Sequence, residues 1–181
     1  MDFESKITSR EISQLLWERE MTLGTAESCT GGRVAEAIIA VPGASKYFKG
    51  GIVSYADEIK ERILGFDRQL IEEKTAVCED VAVAMVKGAC KALNTDYAIA
   101  VTGIAGPGGG TAEIPVGTIW LACGNEDNVA TCQLTEDNGR DKNLSEATHT
   151  ALEMFLEFLK GEEKVSEDNV EPQGEVKWGS N

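Results

Sequence analysis

Apolar residues recur every three or four positions in several stretches of this chain, which is the spacing of a helix with one buried face. In the first stretch these residues are Ile12, Leu15, Leu16 and Met21. Thr8 and Glu11 just before them have the form of a capping box, so we predict an amphipathic helix over residues 8–22. Further helices are predicted over residues 31–40, 57–64, 79–93 and 140–159.

Short β-rich runs separate these helices. They predict strands over residues 22–27, 48–55, 97–101, 116–123 and 129–134. Because helices and strands alternate through most of the chain, we predict an α/β fold with helices on both faces of a mixed sheet. A ligand would then lie at the C-terminal ends of the strands, where Ser28, Tyr55 and Thr102 fall.

The length and the composition predict one domain followed by a tail. The chain has 181 residues, enough for a single domain with a proper core, which we place over residues 1–160. From Gly161 onward, six acidic residues stand against two lysines, among few large apolar side chains. This composition predicts a disordered tail over residues 161–181.

Charge and residue usage exclude several classes of protein. A net charge of −14 argues against a nucleic-acid binder, because affinity for the phosphate backbone needs clustered Lys and Arg. The chain shows no apolar run of about 18 residues and no signal-peptide pattern, so we predict a cytoplasmic protein that does not act at a membrane. Five scattered cysteines and a single histidine, His149, predict neither a disulfide framework nor a metal site, and we expect no cofactor.

Residues 25–33, TAESCTGGR, carry the first candidate chemistry. They place Ser28 between a predicted strand and a glycine pair that opens a predicted helix, where a hydroxyl meets unpaired backbone N–H groups. This position suits a nucleophile, but it equally suits Ser28 or Thr30 as a simple helix cap. Cys29 with His149 is a further candidate pair for nucleophilic catalysis.

Residues 102–110, TGIAGPGGG, form a glycine-rich loop after the predicted central strand. It is not a Walker phosphate loop, because Gly109 and Gly110 stand where that motif needs Lys and then Ser or Thr. It also lacks the spacing of the dinucleotide-binding glycines. Two interpretations stay open: a loop that wraps a ligand with its N–H groups, or a plain connector.

A serine nucleophile needs a base, and the sequence offers Lys60, Glu27 and Tyr55 near the predicted strand ends. A lysine serves as a base only in the neutral form, which burial or a nearby cation favours. The alternative is that Lys60 is a solvated side chain on a short helix.

Three stretches together identify a family resemblance. They are residues 25–32, TAESCTGG; residues 50–55, GGIVSY, followed by Lys60; and residues 101–111, VTGIAGPGGGT, followed by PVGT at 115–118. Over about residues 8–160 the chain closely resembles the C-terminal domain family of the competence/damage-inducible protein CinA. The resemblance implies a three-layer αβα sandwich. It also implies a stand-alone amidohydrolase that converts nicotinamide mononucleotide to nicotinic acid mononucleotide and ammonia, a reaction of NAD salvage.

The resemblance further implies roles for single residues. Ser28 matches the family's nucleophile, Lys60 its general base, and Tyr55 the tyrosine that lies with them. Backbone N–H groups of residues 29–31 are expected to hold the oxyanion, and Arg140 the anionic part of the substrate. The expected substrate-binding residues are Thr30, Gly31, Thr102, Gly103 and Arg140.

The chain departs from the family pattern at four positions. The family usually has Asn, Ser, Lys and often Arg where this chain has Asp57, Cys78, Ile114 and Leu144. Asp57 and Ile114 are expected to make a ligand-facing surface less positive. Two alternatives therefore stay open: a non-catalytic nucleotide-binding or regulatory module, and an amidase for another small carboxamide. We predict a small-molecule nucleotide as the partner and a homodimer as the assembly.

Overall fold

The structure is a computed structural model that describes residues 3–168. Within this range the helices are α1 (Phe3–Glu18), α2 (Arg33–Ile39), α3 (Asp57–Leu64), α4 (Arg68–Lys74), α5 (Glu79–Leu93) and α6 (Arg140–Asp168). The strands are β1 (Leu23–Glu27), β2 (Phe48–Val53), β3 (Tyr97–Gly103), β4 (Ile119–Gly124) and β5 (Val129–Leu134). No helix within residues 3–168 is both long enough and apolar enough to cross a lipid bilayer.

The five strands form one mixed sheet with the order β2-β1-β3-β4-β5. β1 pairs in parallel with β2 and β3, whereas β4 is antiparallel to both β3 and β5. One face of the sheet packs against α1, α2 and α6, and the other face packs against α3, α4 and α5. The predicted α/β fold and the αβα sandwich are therefore confirmed.

The two faces of the sheet differ in side-chain size. Toward α5 the central strands present small residues: Ala26, Ala98, Ala100 and Ala122. Toward α6 they present larger ones: Ile99, Val101, Ile119 and Leu121. Small side chains let a helix approach a sheet closely, and α5 accordingly contacts β3, β4 and β1 along its length. This packing fixes the carboxyl ends of β1, β2 and β3 at one edge of the molecule.

The first helix begins earlier than the sequence pattern predicts. It starts at Phe3 rather than at residue 8 and ends at Glu18 rather than at residue 22. The predicted capping box is wrong, because Thr8 lies inside the helix and its hydroxyl donates to the carbonyl oxygen of Glu4 at 3.2 Å. A threonine that bonds back one turn in this way is compatible with a helix interior.

Two further elements differ from the prediction. Helix α4 falls where no element is predicted, and Asp67 caps it by accepting the N–H of Gln69 at 2.9 Å. Strand β4 begins at Ile119 rather than at residue 116. The strand starts later because Gly117 has a φ of +93°, which is not an extended conformation. A Cβ atom at Gly117 would lie 2.5 Å from the carbonyl oxygen of Glu136, so the position requires glycine.

The last helix continues nine residues past its predicted end at residue 159 and ends at Asp168. Gly161 does not stop it, because Glu162 is anchored to the body of the domain. The Glu162 carboxylate accepts the hydroxyl of Tyr97 at 2.6 Å and lies 3.8 Å from the Arg19 guanidinium. The rest of the predicted disordered tail, residues 169–181, lies outside the described residues.

Candidate active site

A cavity of about 250 Å³ opens at the carboxyl ends of the parallel strands. Six of the predicted site residues line it: Ser28, Tyr55, Lys60, Thr102, Gly103 and Arg140. A larger cavity of about 380 Å³ lies between β5 and the start of α6, but its lining includes Glu136 and Glu146 and no cationic side chain. The smaller cavity is therefore the one that combines a hydroxyl, an amine and a guanidinium.

Glu27, not Ser28, caps the helix that follows β1. The Glu27 side chain is 1% exposed, and its carboxylate accepts the N–H groups of Gly32, Val34 and Ala35 at 2.9 to 3.1 Å. Three N–H donors occupy this carboxylate, and it is absent from the cavity lining, so Glu27 is not the base. The helix-cap interpretation of Ser28 is wrong, and the Ser28 hydroxyl is left to face the cavity.

Two of the expected substrate-binding residues do not line the cavity. The Thr30 side chain is buried and its hydroxyl makes no hydrogen bond among residues 3–168. The N–H of Gly31 donates to the carbonyl oxygen of Ser28 at 3.1 Å, which closes a tight turn. The peptide groups of this turn directly follow Ser28, but neither Thr30 nor Gly31 lines the cavity.

Lys60 is buried, so the interpretation of Lys60 as a solvated lysine is wrong. It is 1% exposed although it lies on the short helix α3. Its side chain reaches back toward the start of the helix, as helical side chains do, and Nζ donates to the carbonyl oxygen of Tyr55 at 3.3 Å and to Asp57 Oδ1 at 3.2 Å. The amine is thus held beside the cavity by two acceptors. Tyr55 itself is 63% exposed at the rim.

The start of α6 ties the glycine-rich loop into the cavity wall. Arg140 Nη1 donates to the carbonyl oxygen of Gly106 at 2.8 Å, and Asn143 Nδ2 donates to that of Ala105 at 3.1 Å. Gly106, Gly108 and Gly109 line the cavity. This placement favours a ligand-wrapping loop over a plain connector. Sequence reasoning missed Asn143, which has no motif and is recognised only by these contacts.

Thr102 and Gly103 contribute mainly backbone to the site. The Thr102 hydroxyl donates to the carbonyl oxygen of Ala76 at 2.8 Å, so only its lone pairs remain for a ligand. At Gly103 a Cβ atom would lie 2.6 Å from Ile119 Cα, which is too close for any side chain. Glycine is required here by the pairing of β3 with β4, whether or not a ligand is bound.

Cys29 and His149 do not form a catalytic pair. Burial raises the pKa of the Cys29 thiol to about 11, although the Arg140 charge nearby favours the thiolate. His149 lies elsewhere, with Nδ1 3.2 Å from Ser5 Oγ and Nε2 3.2 Å from Glu153 Oε1. The cysteine hypothesis for the nucleophile is therefore disfavoured.

We expect Cys29 to resist alkylation in the native protein. With a pKa of about 11, only about one thousandth of this thiol is thiolate at pH 8, and thiolate is the reactive form. Iodoacetamide at pH 8 should leave Cys29 unmodified in peptide maps of the native protein and modify it after denaturation in urea. Rapid native labelling at Cys29 would contradict the buried, neutral thiol.

Of the four departures from the family pattern, only Asp57 lines the cavity. Leu144 is buried in the core, and Ile114 closes a turn by donating its N–H to Thr111 Oγ1 at 3.0 Å. Cys78 precedes α5, and its thiol contacts the carbonyl oxygen of Thr75 at 3.6 Å. The expectation that Ile114 makes the ligand surface less positive is therefore wrong for this cavity. Within residues 3–168, no cluster of His, Cys, Asp or Glu side chains is arranged to hold a metal ion.

Comparisons with known proteins agree on one family. The profile of the CinA C-terminal domain matches residues 5–159. A CinA-like protein from Leptospira borgpetersenii is 48% identical over 117 residues, which is 65% of this chain and 28% of that protein. A CinA-like protein from Amoebophilus asiaticus is 41% identical over 150 residues, 83% of this chain and 36% of that protein.

Solved structures give the same result. The competence/damage-inducible protein CihA from Agrobacterium tumefaciens superposes with a TM-score of 0.84 at 35% identity, covering 88% of this chain and 98% of that one. A CinA superfamily protein from Escherichia coli superposes with a TM-score of 0.81 at 32% identity, covering 88% of this chain and 92% of that one. The chain spans about a third of the length of the curated relatives it matches, but nearly all of these solved chains.

Proposed function

This chain belongs to the CinA C-terminal domain family, and from that premise we propose that it is an amidohydrolase acting on nicotinamide mononucleotide. Its products are nicotinic acid mononucleotide and ammonia. The observation that carries the proposal is one cavity at the end of β1 that holds the Ser28 hydroxyl, the buried Lys60 amine and the Arg140 guanidinium. A hydroxyl, a buried amine and a fixed cation are the groups that acyl transfer from an anionic carboxamide needs.

In this mechanism Ser28 Oγ attacks the carboxamide carbon. Lys60 in its amine form accepts the proton of Ser28 and returns it to the leaving ammonia. Water then attacks the acyl-enzyme, and Lys60 acts again as the base. The burial of Lys60 supports this role, because it keeps the amine away from bulk water in the cavity that Ser28 also lines.

Backbone N–H groups behind Ser28 stabilise the oxyanion that forms during the attack. Because Gly31 donates its N–H to the Ser28 carbonyl oxygen, we assign this role to the N–H groups of Cys29 and Thr30. Within residues 3–168 neither of these two groups donates to a carbonyl oxygen, and both lie within hydrogen-bonding reach of the Cys29 thiol. One such donor is worth about 3–4 kcal/mol in comparable acyl-transfer sites.

Arg140 and Tyr55 bind the rest of the nucleotide. Arg140 uses one N–H on Gly106, which fixes its orientation and leaves its other N–H donors for a phosphate. The exposed ring of Tyr55 at the rim offers a face for a cationic pyridinium ring. A single placed guanidinium explains how a protein with a net charge of −14 holds an anionic ligand.

The test is ammonia release from nicotinamide mononucleotide, compared with release from free nicotinamide and from nicotinamide riboside. We expect the mononucleotide to be the preferred substrate, and Arg140→Ala to raise its KM by about tenfold or more through loss of a charged phosphate contact. If the protein instead hydrolyses another carboxamide, and Arg140→Ala does not change that rate, nicotinamide mononucleotide is not the substrate.

A non-catalytic nucleotide-binding module is the second candidate, favoured by the contact of Lys60 Nζ with Asp57 rather than with Ser28. It predicts ligand-induced stabilisation without product, about 2.7 kcal/mol when the ligand reaches 100 times its Kd. A thermal shift with the mononucleotide together with no detectable ammonia would support it over the amidohydrolase.

A further inference from the structure

A second serine lies beside Ser28 at the end of the neighbouring strand. β1 and β2 pair in parallel, and Glu27 opposite Val53 is their last pair. Ser28 and Ser54 follow these two residues, and the N–H of Ser54 donates to the carbonyl oxygen of Glu27 at 2.8 Å. The two serines are therefore neighbours across the strand pair.

Both serines face the layer that contains α3. Ala26 of β1 and Ile52 of β2 are paired, and both pack into the hydrophobic cluster shared with α3 and α5. Ser28 lines the cavity together with Lys60, which fits this alternation of side chains. The same alternation, continued one residue past β2, puts Ser54 on that side as well. Lys60 is buried on this side, on α3.

Ser54 carries a polar group that the fold leaves without a partner. Its side chain is 0% exposed, and its hydroxyl makes no hydrogen bond among residues 3–168. A buried hydroxyl without a partner is unfavourable. Six side chains among residues 3–168 share this feature, and Ser54 is the one that follows the strand paired with β1 directly beside Ser28. Lys60 Nζ meanwhile donates to the Tyr55 carbonyl oxygen and to Asp57 only, so two of its tetrahedral positions are used and a further one is left for the amine lone pair to accept a hydrogen bond.

We propose that Ser54 is a catalytic residue of the amidohydrolase site, a proton relay whose hydroxyl links Ser28 Oγ to Lys60 Nζ during acylation. This inference rests on the proposed function. As Ser28 Oγ bonds to the carboxamide carbon, Ser54 takes the Ser28 proton and gives its own to the Lys60 amine, and the carbonyl electron pair moves onto oxygen. Lys60 then protonates the nitrogen, the oxyanion electron pair re-forms the C=O bond as the C–N bond breaks, and ammonia leaves with that proton. Ser54 ends the step as it began it.

Ser54→Ala tests the proposal, with Ser9→Ala as the matched control. Ser9 is also a buried serine whose hydroxyl has no partner, but it lies on α1. We expect kcat for ammonia release to fall about 10²-fold in Ser54→Ala, with KM within about threefold of wild type, and no change in Ser9→Ala. Neither variant loses a hydrogen bond, so both melting temperatures should stay within about 4 °C of wild type.

Ser54→Cys keeps a small side chain with a weak donor, so its kcat is expected about tenfold below wild type, between those of wild type and Ser54→Ala. If Ser54→Ala melts far below wild type, this variant decides the question. Wild-type kcat in Ser54→Cys would then overturn the proposal.

A probe that needs no substrate separates this proposal from the proposed function. Phenylmethanesulfonyl fluoride reacts with activated serine hydroxyls, and intact-protein mass spectrometry followed by peptide mapping gives the rate at Ser28. We expect the rate to fall about tenfold in Ser54→Ala and to be unchanged in Ser9→Ala. If wild-type Ser28 is labelled, and labelled faster than in Ser54→Ala, but no ammonia is released, nicotinamide mononucleotide is not the substrate and the Ser54 link is still supported. Equal labelling in the two variants, or no labelling of wild type, would overturn the link.

Discussion

Replacing Ser28 with alanine is expected to lower ammonia release from nicotinamide mononucleotide by about 10⁴-fold or more, because the variant has no group that forms the acyl-enzyme. Lys60→Met is expected to lower it by about 10²–10⁴-fold, which is the usual contribution of a positioned base. The two residues act as one unit, so the double variant should be no slower than Ser28→Ala alone.

Initial rates of ammonia release, measured with a coupled assay and checked by chromatography of the acid product, decide this prediction. Ser145→Ala, an exposed serine on α6, is the control and should keep the wild-type rate. Circular dichroism melts of all variants exclude loss of the fold as the cause. Retention of more than a tenth of the wild-type rate by both single variants would refute the Ser28 and Lys60 mechanism.

Glu27→Ala is expected to lower the free energy of unfolding by about 3 kcal/mol. The buried carboxylate accepts three backbone N–H groups at the start of α2, and alanine leaves these donors without an acceptor where water has little access. Hydrogen bonds to a charged acceptor contribute about 1.5–3 kcal/mol each, but the helix start can relax toward water and recover part of the loss.

Urea unfolding followed by circular dichroism measures this effect. Glu36→Ala is the matched control, because Glu36 lies in the first turn of the same helix with its side chain exposed. We expect the control to stay within about 0.5 kcal/mol of wild type. Equal midpoints for the two variants would show that the Glu27 carboxylate does not hold the turn behind Ser28.

Helical periodicity and apolar runs correctly predicted the elements whose bounds are set by their own residues. Helix α5 and strand β5 have the predicted bounds. Strand β3 begins at Tyr97 as predicted and continues two residues beyond the apolar run, to Gly103. The errors fall where a distant contact decides the structure. Helix α6 continues because Glu162 meets Tyr97, and Thr8 lies within a helix because α1 begins five residues earlier than the pattern indicates.

The sequence motifs predicted which residues line the candidate site. They did not predict how the neighbouring residues hold that site in place. Of the residues expected at the site, six line one cavity: Ser28, Tyr55, Lys60, Thr102, Gly103 and Arg140. Thr30 and Gly31 instead belong to the turn behind Ser28. The sequence could not show that Glu27 takes the capping role, since Ser and Thr are the usual caps. Nor could it show that Lys60 is buried or that Ser54 is left unpartnered, because both facts depend on how α3 packs against the sheet.

We propose above that Ser28 forms a covalent acyl intermediate with nicotinamide mononucleotide. Its most direct test is to mix enzyme and substrate, quench in acid within the first turnover, and locate any adduct by intact-protein mass spectrometry and peptide mapping. We expect an adduct with the mass of the mononucleotide less ammonia on the peptide that contains Ser28, and no adduct in Ser28→Ala. Ammonia release by Ser28→Ala at the wild-type rate, or an adduct on any other residue, would contradict it.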